Sequence, residues 1–148
     1  MKSLIITVAA LLSASLSCGR VLAAEDANRH GVCVPGKDTG RGRLCLTFDD
    51  RHWQRWVAAM PIFEKYGARA SFFPNGQLDE DALSALKRLH DAGHTVGPHT
   101  LNHRNAPEMI AKIGFDAYWL KEVAPQLSAF ASVGIFPKSM AYPNNLHD

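Results

Sequence analysis

An excess of charge of one sign is what this sequence most lacks. Of its 16 Lys and Arg residues, Lys2 and Arg20 fall in the first 24 positions with no acid beside them, so the remaining bases balance the 14 Asp and Glu. A body neutral in this way offers no electrostatic footprint for nucleic acid. Low-complexity tracts and internal repeats are also missing, which excludes repeat architectures. Beyond residue 24 no apolar run is long enough to span a bilayer, so no transmembrane span is expected. Cysteine is scarce, with three in 148 residues. Cys18 lies in the N-terminal segment, leaving Cys33 and Cys45. An oxidising compartment permits a disulfide between these two, but Cys45 sits in an apolar strand and is read as packing there unpaired, as a small apolar group.

What is present suits one globular domain with a core, since 47% of residues are hydrophobic and 20% charged. Residues 1–24 read as a secretory signal: Lys2 gives a positive start, Leu4 to Leu16 an apolar centre, and Val21-Leu22-Ala23-Ala24 a small-residue exit. The expected location is secreted or periplasmic. Lipid attachment at Cys18 is the rival processing route, disfavoured by Ser15 where a larger aliphatic residue is preferred. Residues 25–42 form a polar, Gly-rich leader with a turn at Pro35-Gly36. Nothing in the pattern speaks to oligomeric state.

From residue 43 onward strands and helices alternate. Leu44, Cys45, Leu46 and Phe48 predict a strand buried on both faces, ending in Asp49-Asp50. Trp53, Trp56, Val57, Met60 and Phe63 recur at helical spacing, with Pro61 kinking or breaking the helix and Gly67 closing it. Arg69 to Phe73 is a second strand, stopped by Pro74-Asn75-Gly76. Asp79 caps a helix with an inner stripe of Ala82, Leu83, Leu86 and Leu89, ending at Gly93. His94 to Gly97 is a third strand. Asn105-Ala106-Pro107-Glu108 starts a helix, and helical spacing resumes from Phe115 through Phe130, interrupted by Pro125 and ending at Gly134. A fourth strand is expected near Lys138 to Tyr142. Such βαβ units give an α/β fold with a parallel sheet, open or closed into a barrel.

Sites in parallel sheets form beyond the carboxyl ends of the strands. Asp49, Asp50, Asn75, His99, His103 and Asn144 all fall there. Two imidazoles and a carboxylate are a common ligand set for a divalent cation such as zinc, with positions left open. His99 and His103, four apart, would present their rings to one side if the chain turns helically after Thr100. Adjacent carboxylates at a strand mouth repel each other and call for a compensating cation; one of them could also cap the helix that follows. Trp53 and Trp56 are read as core rather than a sugar-stacking platform, and His30, His90 and His94 as structural or surface residues.

Thr47-Phe48-Asp49-Asp50 and His99-Thr100-Leu101-Asn102-His103 resemble the first two motifs of the polysaccharide deacetylase family, the NodB-homology or carbohydrate esterase family 4 group. The resemblance runs from about Arg43 to Asn145. Met140-Ala141-Tyr142-Pro143-Asn144 resembles the third motif. The resemblance implies the N-terminal part of a distorted (β/α) barrel, with residues 43–148 a partial catalytic domain. It implies Asp49 as general base, Asp50, His99 and His103 as ligands of Zn2+ or Co2+, and the Asn144 backbone amide as an oxyanion donor. The implied substrate is an acetylated polysaccharide such as peptidoglycan, a chitin-like polymer or xylan, with N- or O-acetyl groups hydrolysed. His52 and Tyr142 are candidate substrate contacts.

This chain departs from the family pattern in three places. Arg51-His52 follows the two aspartates where the family usually has Gly. Ala141 stands where the third motif often has an Arg that orients the base. The family's general acid, a His in a later motif, would lie past residue 148, and a parallel barrel takes on the order of 200 residues or more. A C-terminally truncated deacetylase is therefore expected, with His147 read as a solvated terminus rather than a substitute acid. The rivals are an inactive remnant that keeps only metal or glycan binding, and a metal-storage module.

Overall fold

A computed structural model describes residues 44–145. The expectations for segments 1–24 and 25–42 and for Cys18, His30, Cys33 and His147 lie outside those residues. Three short parallel strands, β1 (Thr47–Asp49), β2 (Ser71–Phe73) and β3 (Thr95–Val96), form a sheet in the order β1-β2-β3. The register pairs Phe48 with Phe72 and Phe72 with Val96, so the strands end level with one another. This levelling sets the segments after Asp49, Phe73 and Val96 on one rim.

Helices α1 (Trp53–Lys65) and α2 (Glu80–Asp91) connect the strands. Helix α1 runs unbroken through Pro61 and ends before Gly67, whose φ of 58° suits glycine. Asp79 caps α2 as expected, its Oδ1 accepting from the Ala82 N–H at 2.8 Å. Ala82, Leu86 and Leu89 of α2, Trp53, Trp56 and Phe63 of α1, and Phe72 of β2 form the main core. Both tryptophans are thus core residues. Helix α3 (Ala106–Ile113) begins at the Asn105 cap, which accepts from the Glu108 N–H at 3.2 Å. Helix α4 (Phe115–Tyr118), a π-turn (Trp119–Val123) and helix α5 (Ala124–Ser132) follow without a break. Ala106, Tyr118 and Val123 anchor a second, smaller core, where burial, helped by Tyr142 and Glu122, pushes the Tyr118 phenol up to about 12.

Three expectations are corrected. First, β1 is exposed along its length rather than buried on both faces, because among the described residues only β2 flanks it. Phe48 still stacks on Phe72 at 5.3 Å, so one face is partly covered. Second, Cys45 is disulfide-bonded, not a packed free thiol. It lies exposed just before β1. Third, residues 138–142 form no strand. Pro137 and Pro143 remove donors and fix φ at both ends. The segment leans on the end of β3 through one backbone bond, Ala141 N–H to the Pro98 carbonyl at 3.1 Å. It passes so close to Gly97 that a Cβ there would lie 2.2 Å from the Ser139 carbonyl oxygen, so only glycine fits.

His94 is structural, as expected. Its ring packs edge-on against Phe63 and Phe72, and Nδ1 accepts from the Ala70 N–H at 3.2 Å. Burial, then the neighbouring Arg69 charge, hold its pKa below the ordinary 6.5. As pH falls through 6.5 the unfolded chain takes up a proton that folded His94 refuses. The stability it contributes is therefore full above that value and declines toward the folded pKa, by at most about 1.4 kcal/mol per pH unit. Thermal melts from about pH 7 down to about pH 5 should show Tm falling, with His94→Gln flattening the slope. An equal slope in the variant would remove His94 as its source.

Candidate functional site

Three segments leave the level strand ends and meet: residues 49–52 after β1, 74–76 after β2 and 97–103 after β3. Asp50, His99 and His103 each offer a ligand atom there, all within 4.8 Å of one another. Asp50 Oδ1 lies 3.4 Å from His103 Nε2 and 4.0 Å from His99 Nε2. The two rings sit 4.9 Å apart at 72°. The 3.4 Å separation is long for a hydrogen bond but matches ligand atoms around a shared ion, since bonds of about 2.0–2.1 Å at tetrahedral angles put neighbouring donors roughly 3.3 Å apart; the 4.0 Å separation is wider than that spacing.

The surroundings orient two of the three donors. His99 is buried, and its Nδ1 lies 2.9 Å from the Ala141 carbonyl oxygen. A carbonyl can only accept, so Nδ1 carries the proton and the Nε2 lone pair faces Asp50. Asn75 Nδ2 donates to Asp50 Oδ1 at 2.8 Å. The Asp50 N–H donates to the Phe73 carbonyl at 3.1 Å, continuing the ladder past β1. Residues and surroundings together fit a three-ligand site for a divalent cation.

Backbone strain is concentrated here. Among the described residues the non-glycine positions with positive φ are Asp50 (76°), Thr100 (66°), His103 (52°), Asn144 (61°) and Asn145 (55°). All lie in the three motif segments except Asn145, which directly follows the third. Thr100 is β-branched and such a conformation costs it about 1–3 kcal/mol. The expected helical turn between His99 and His103 is therefore corrected: the chain folds back at left-handed Thr100, and this bend brings the rings together.

The remaining expected site residues are placed as follows. Asp49 is the exposed last residue of β1, and among the described residues nothing hydrogen-bonds its carboxylate. Neither aspartate caps α1; the cap position is His52, exposed and without a side-chain cap bond. Asn144 is exposed in the turn Pro143–Asn145, next to half-buried Tyr142. Arg51, standing where a Gly was expected, folds over the Trp53 ring at 5.2 Å and against Gly76.

Residues the sequence reading passed over do much of the positioning. Gln126 of α5, buried, accepts at Oε1 from the His99 N–H at 3.1 Å and donates from Nε2 to the carbonyls of Pro74 and Gly76 at 3.1 and 2.9 Å. Glu122, also buried, holds Asn102. The available signal was their spacing of four on a helix otherwise apolar on that side.

A family model described as polysaccharide deacetylase matches residues 36–144. The chain is 33% identical over 75 residues to a chitin deacetylase of Arthroderma benhamiae, covering 48% of this chain and 20% of that protein. It is 27% identical over 103 residues to a peptidoglycan-N-acetylglucosamine deacetylase of Bacillus cereus, covering 66% and 36%. Its fold is similar to a family 4 carbohydrate esterase from Streptomyces lividans, solved in complex with acetate: TM-score 0.58, 26% identity, 73% of this chain and 54% of that one. The Xyl-CE4 domain of a multidomain xylanase from the hindgut metagenome of Trinervitermes trinervoides gives TM-score 0.59, 28% identity, 70% and 49%. The chain thus spans about half of these solved chains and a fifth of the chitin deacetylase.

Proposed function

The chain belongs to the polysaccharide deacetylase family, and from that premise we propose that it is a secreted, metal-dependent hydrolase that removes N- or O-acetyl groups from a carbohydrate polymer. The observation that carries the reading is the convergence of Asp50, His99 and His103, ligand atoms within 4.8 Å, on the rim of a parallel sheet. A divalent cation such as Zn2+ or Co2+ held by these three would supply a Lewis acid for an acetyl carbonyl and lower the pKa of a water.

The chain's own residues supply the rest. Asp49, next in sequence to Asp50 and free of hydrogen bonds among the described residues, takes the proton of the attacking water as general base. The water oxygen adds to the acetyl carbon, and the bond to the sugar nitrogen or oxygen breaks. The amine or hydroxyl departs with the proton that Asp49 took from the water, and acetate is released. Asn144, held left-handed in its turn, offers its backbone N–H to the oxyanion of the tetrahedral intermediate, a donor worth about 3 kcal/mol of barrier where such donors have been removed. His52, two residues past Asp50, and Tyr142, within the third motif, are assigned to substrate contact. The substrate class follows the names of the relatives, which include chitin and peptidoglycan deacetylases. Export rests on the signal-like residues 1–24.

Acetate release from acetylated chito-oligomers, peptidoglycan and acetylated xylan, each with added Zn2+ or Co2+, tests the reading. Release on at least one polymer, abolished by chelator and restored by metal, is expected. Tight metal binding with no release from any of them would replace the hydrolase with a binding remnant.

A further inference from the structure

The helical segment whose Glu122 and Gln126 bond the backbone of the site carries an unusual turn. Trp119–Val123 is π-helical, with the Ala124 N–H donating five residues back to the Trp119 carbonyl. Pro125 explains it in part: lacking an N–H, it cannot continue the α-helical ladder, and the widened turn relieves the mismatch. Within this turn the Glu122 carbonyl accepts from a partner outside the helix.

That partner is the bend between the two histidines. The Leu101 N–H donates to the Glu122 carbonyl at 2.8 Å. The Asn102 N–H donates to Glu122 Oε2 at 2.8 Å and Asn102 Nδ2 to Oε1 at 2.9 Å. Both carboxylate oxygens and the backbone of one residue are thus committed to the two positions before His103. Glu122 is 2% exposed, so a carboxylate has been taken out of water to make these bonds. Desolvating it is costly, and a core would ordinarily put an apolar residue there. The segment it grips contains Thr100 and His103, both at positive φ, a shape that relaxes unless its surroundings impose it.

We propose that Glu122 is a positioning residue for the metal site: its two-oxygen grip on Asn102, delivered by the π-turn, holds the left-handed bend that brings His103 to His99 and Asp50. This rests on the metal-site reading above. Glu122 touches neither ligand side chain and acts only through the bend. Losing an outer partner of this kind costs about 10–100-fold in metal affinity.

The test measures Zn2+ affinity of the full chain by chelator competition, the visible spectrum with Co2+, and amide exchange at Leu101 and Asn102 without metal. Glu122→Leu is expected to weaken Zn2+ binding about 10–100-fold, to alter the Co2+ spectrum and to speed exchange at both amides. Glu122→Gln should stay near the parent, since rotating the Asn102 amide lets both bonds re-form. Leu86→Ala, in the core beneath the sheet, should lower Tm and leave affinity and spectrum alone. Where Glu122→Leu does not fold, Asn102→Asp decides instead: opposed carboxylates should weaken binding, and adding Glu122→Gln should restore it. Parent-like affinity and spectrum in Glu122→Leu, or no restoration in the double variant, would overturn the proposal. Absence of Zn2+ binding in the parent chain is a different result, which removes the metal-site reading itself and this proposal with it.

Discussion

Asp50→Asn should lower Zn2+ affinity by more than about 100-fold, since a ligand is lost and outer partners alone are worth about 10–100-fold, while leaving the metal-free fold intact. Asn is the informative replacement because Asp50 sits at φ 76°, a conformation that Asn tolerates and Ala does not. The side chain is half exposed, so the change opens no cavity. It also removes one of two adjacent like charges. The metal-free Tm should therefore move by no more than about 0.5 kcal/mol would produce, the usual range for exposed positions. His103→Asn, at φ 52°, repeats the experiment from the other side of the site with the same expectation. Isothermal titration with Zn2+ beside thermal melts of the metal-free chain separates the two effects. Unchanged affinity in both variants would remove the common site.

Asp49→Asn should do the reverse, leaving metal affinity within a few-fold and cutting acetate release by about 10²–10⁴, the range that a positioned general base contributes. The reason lies in how the two aspartates differ. Asp50 has left the strand, turned left-handed and taken a hydrogen bond from Asn75 at 2.8 Å. Asp49 remains in register opposite Phe73, its carboxylate without a hydrogen-bond partner among the described residues. A carboxylate so placed is free to accept a proton, and the amide that replaces it is the same shape and cannot. Acetate release with a saturating supply of metal, measured for both variants, gives the separation: Asp49→Asn binds without turning over, Asp50→Asn fails at binding. Equal loss of affinity in both would mean that Asp49 is a ligand rather than the base.

The cost of building the site is visible in the backbone. The left-handed non-glycine residues among the described positions lie in or directly beside the motif segments, and the first two of those segments are braced from outside. Asn75 reaches Asp50, Gln126 reaches the His99 N–H, Glu122 holds Asn102, and the Ala141 carbonyl sets the His99 ring. Each bond joins residues at least 20 apart in the sequence. Such bonds form only once the sheet and the crossing helix have packed, so the geometry of the site depends on the whole fold.

Local chemistry was readable in the sequence alone. Hydrophobic spacing placed α1 and α2, Asp79 and Asn105 announced the caps of α2 and α3, and three parallel strands followed from the alternation. The coincidence of Asp49-Asp50 with His99 and His103 at strand ends marked the rim. These signals act over a few residues, where periodicity and side-chain type dominate. Tertiary structure decided what depends on neighbours far along the chain. It left β1 exposed, with only β2 beside it among the described residues, rather than in the interior, since burial is a property of what packs alongside. It withheld a strand from residues 138–142 and used the backbone of Ala141 to aim His99 instead. It replaced an expected helical turn with a left-handed bend at Thr100, because Glu122 and Gln126 of the crossing helix outweigh the local preference of a β-branched residue.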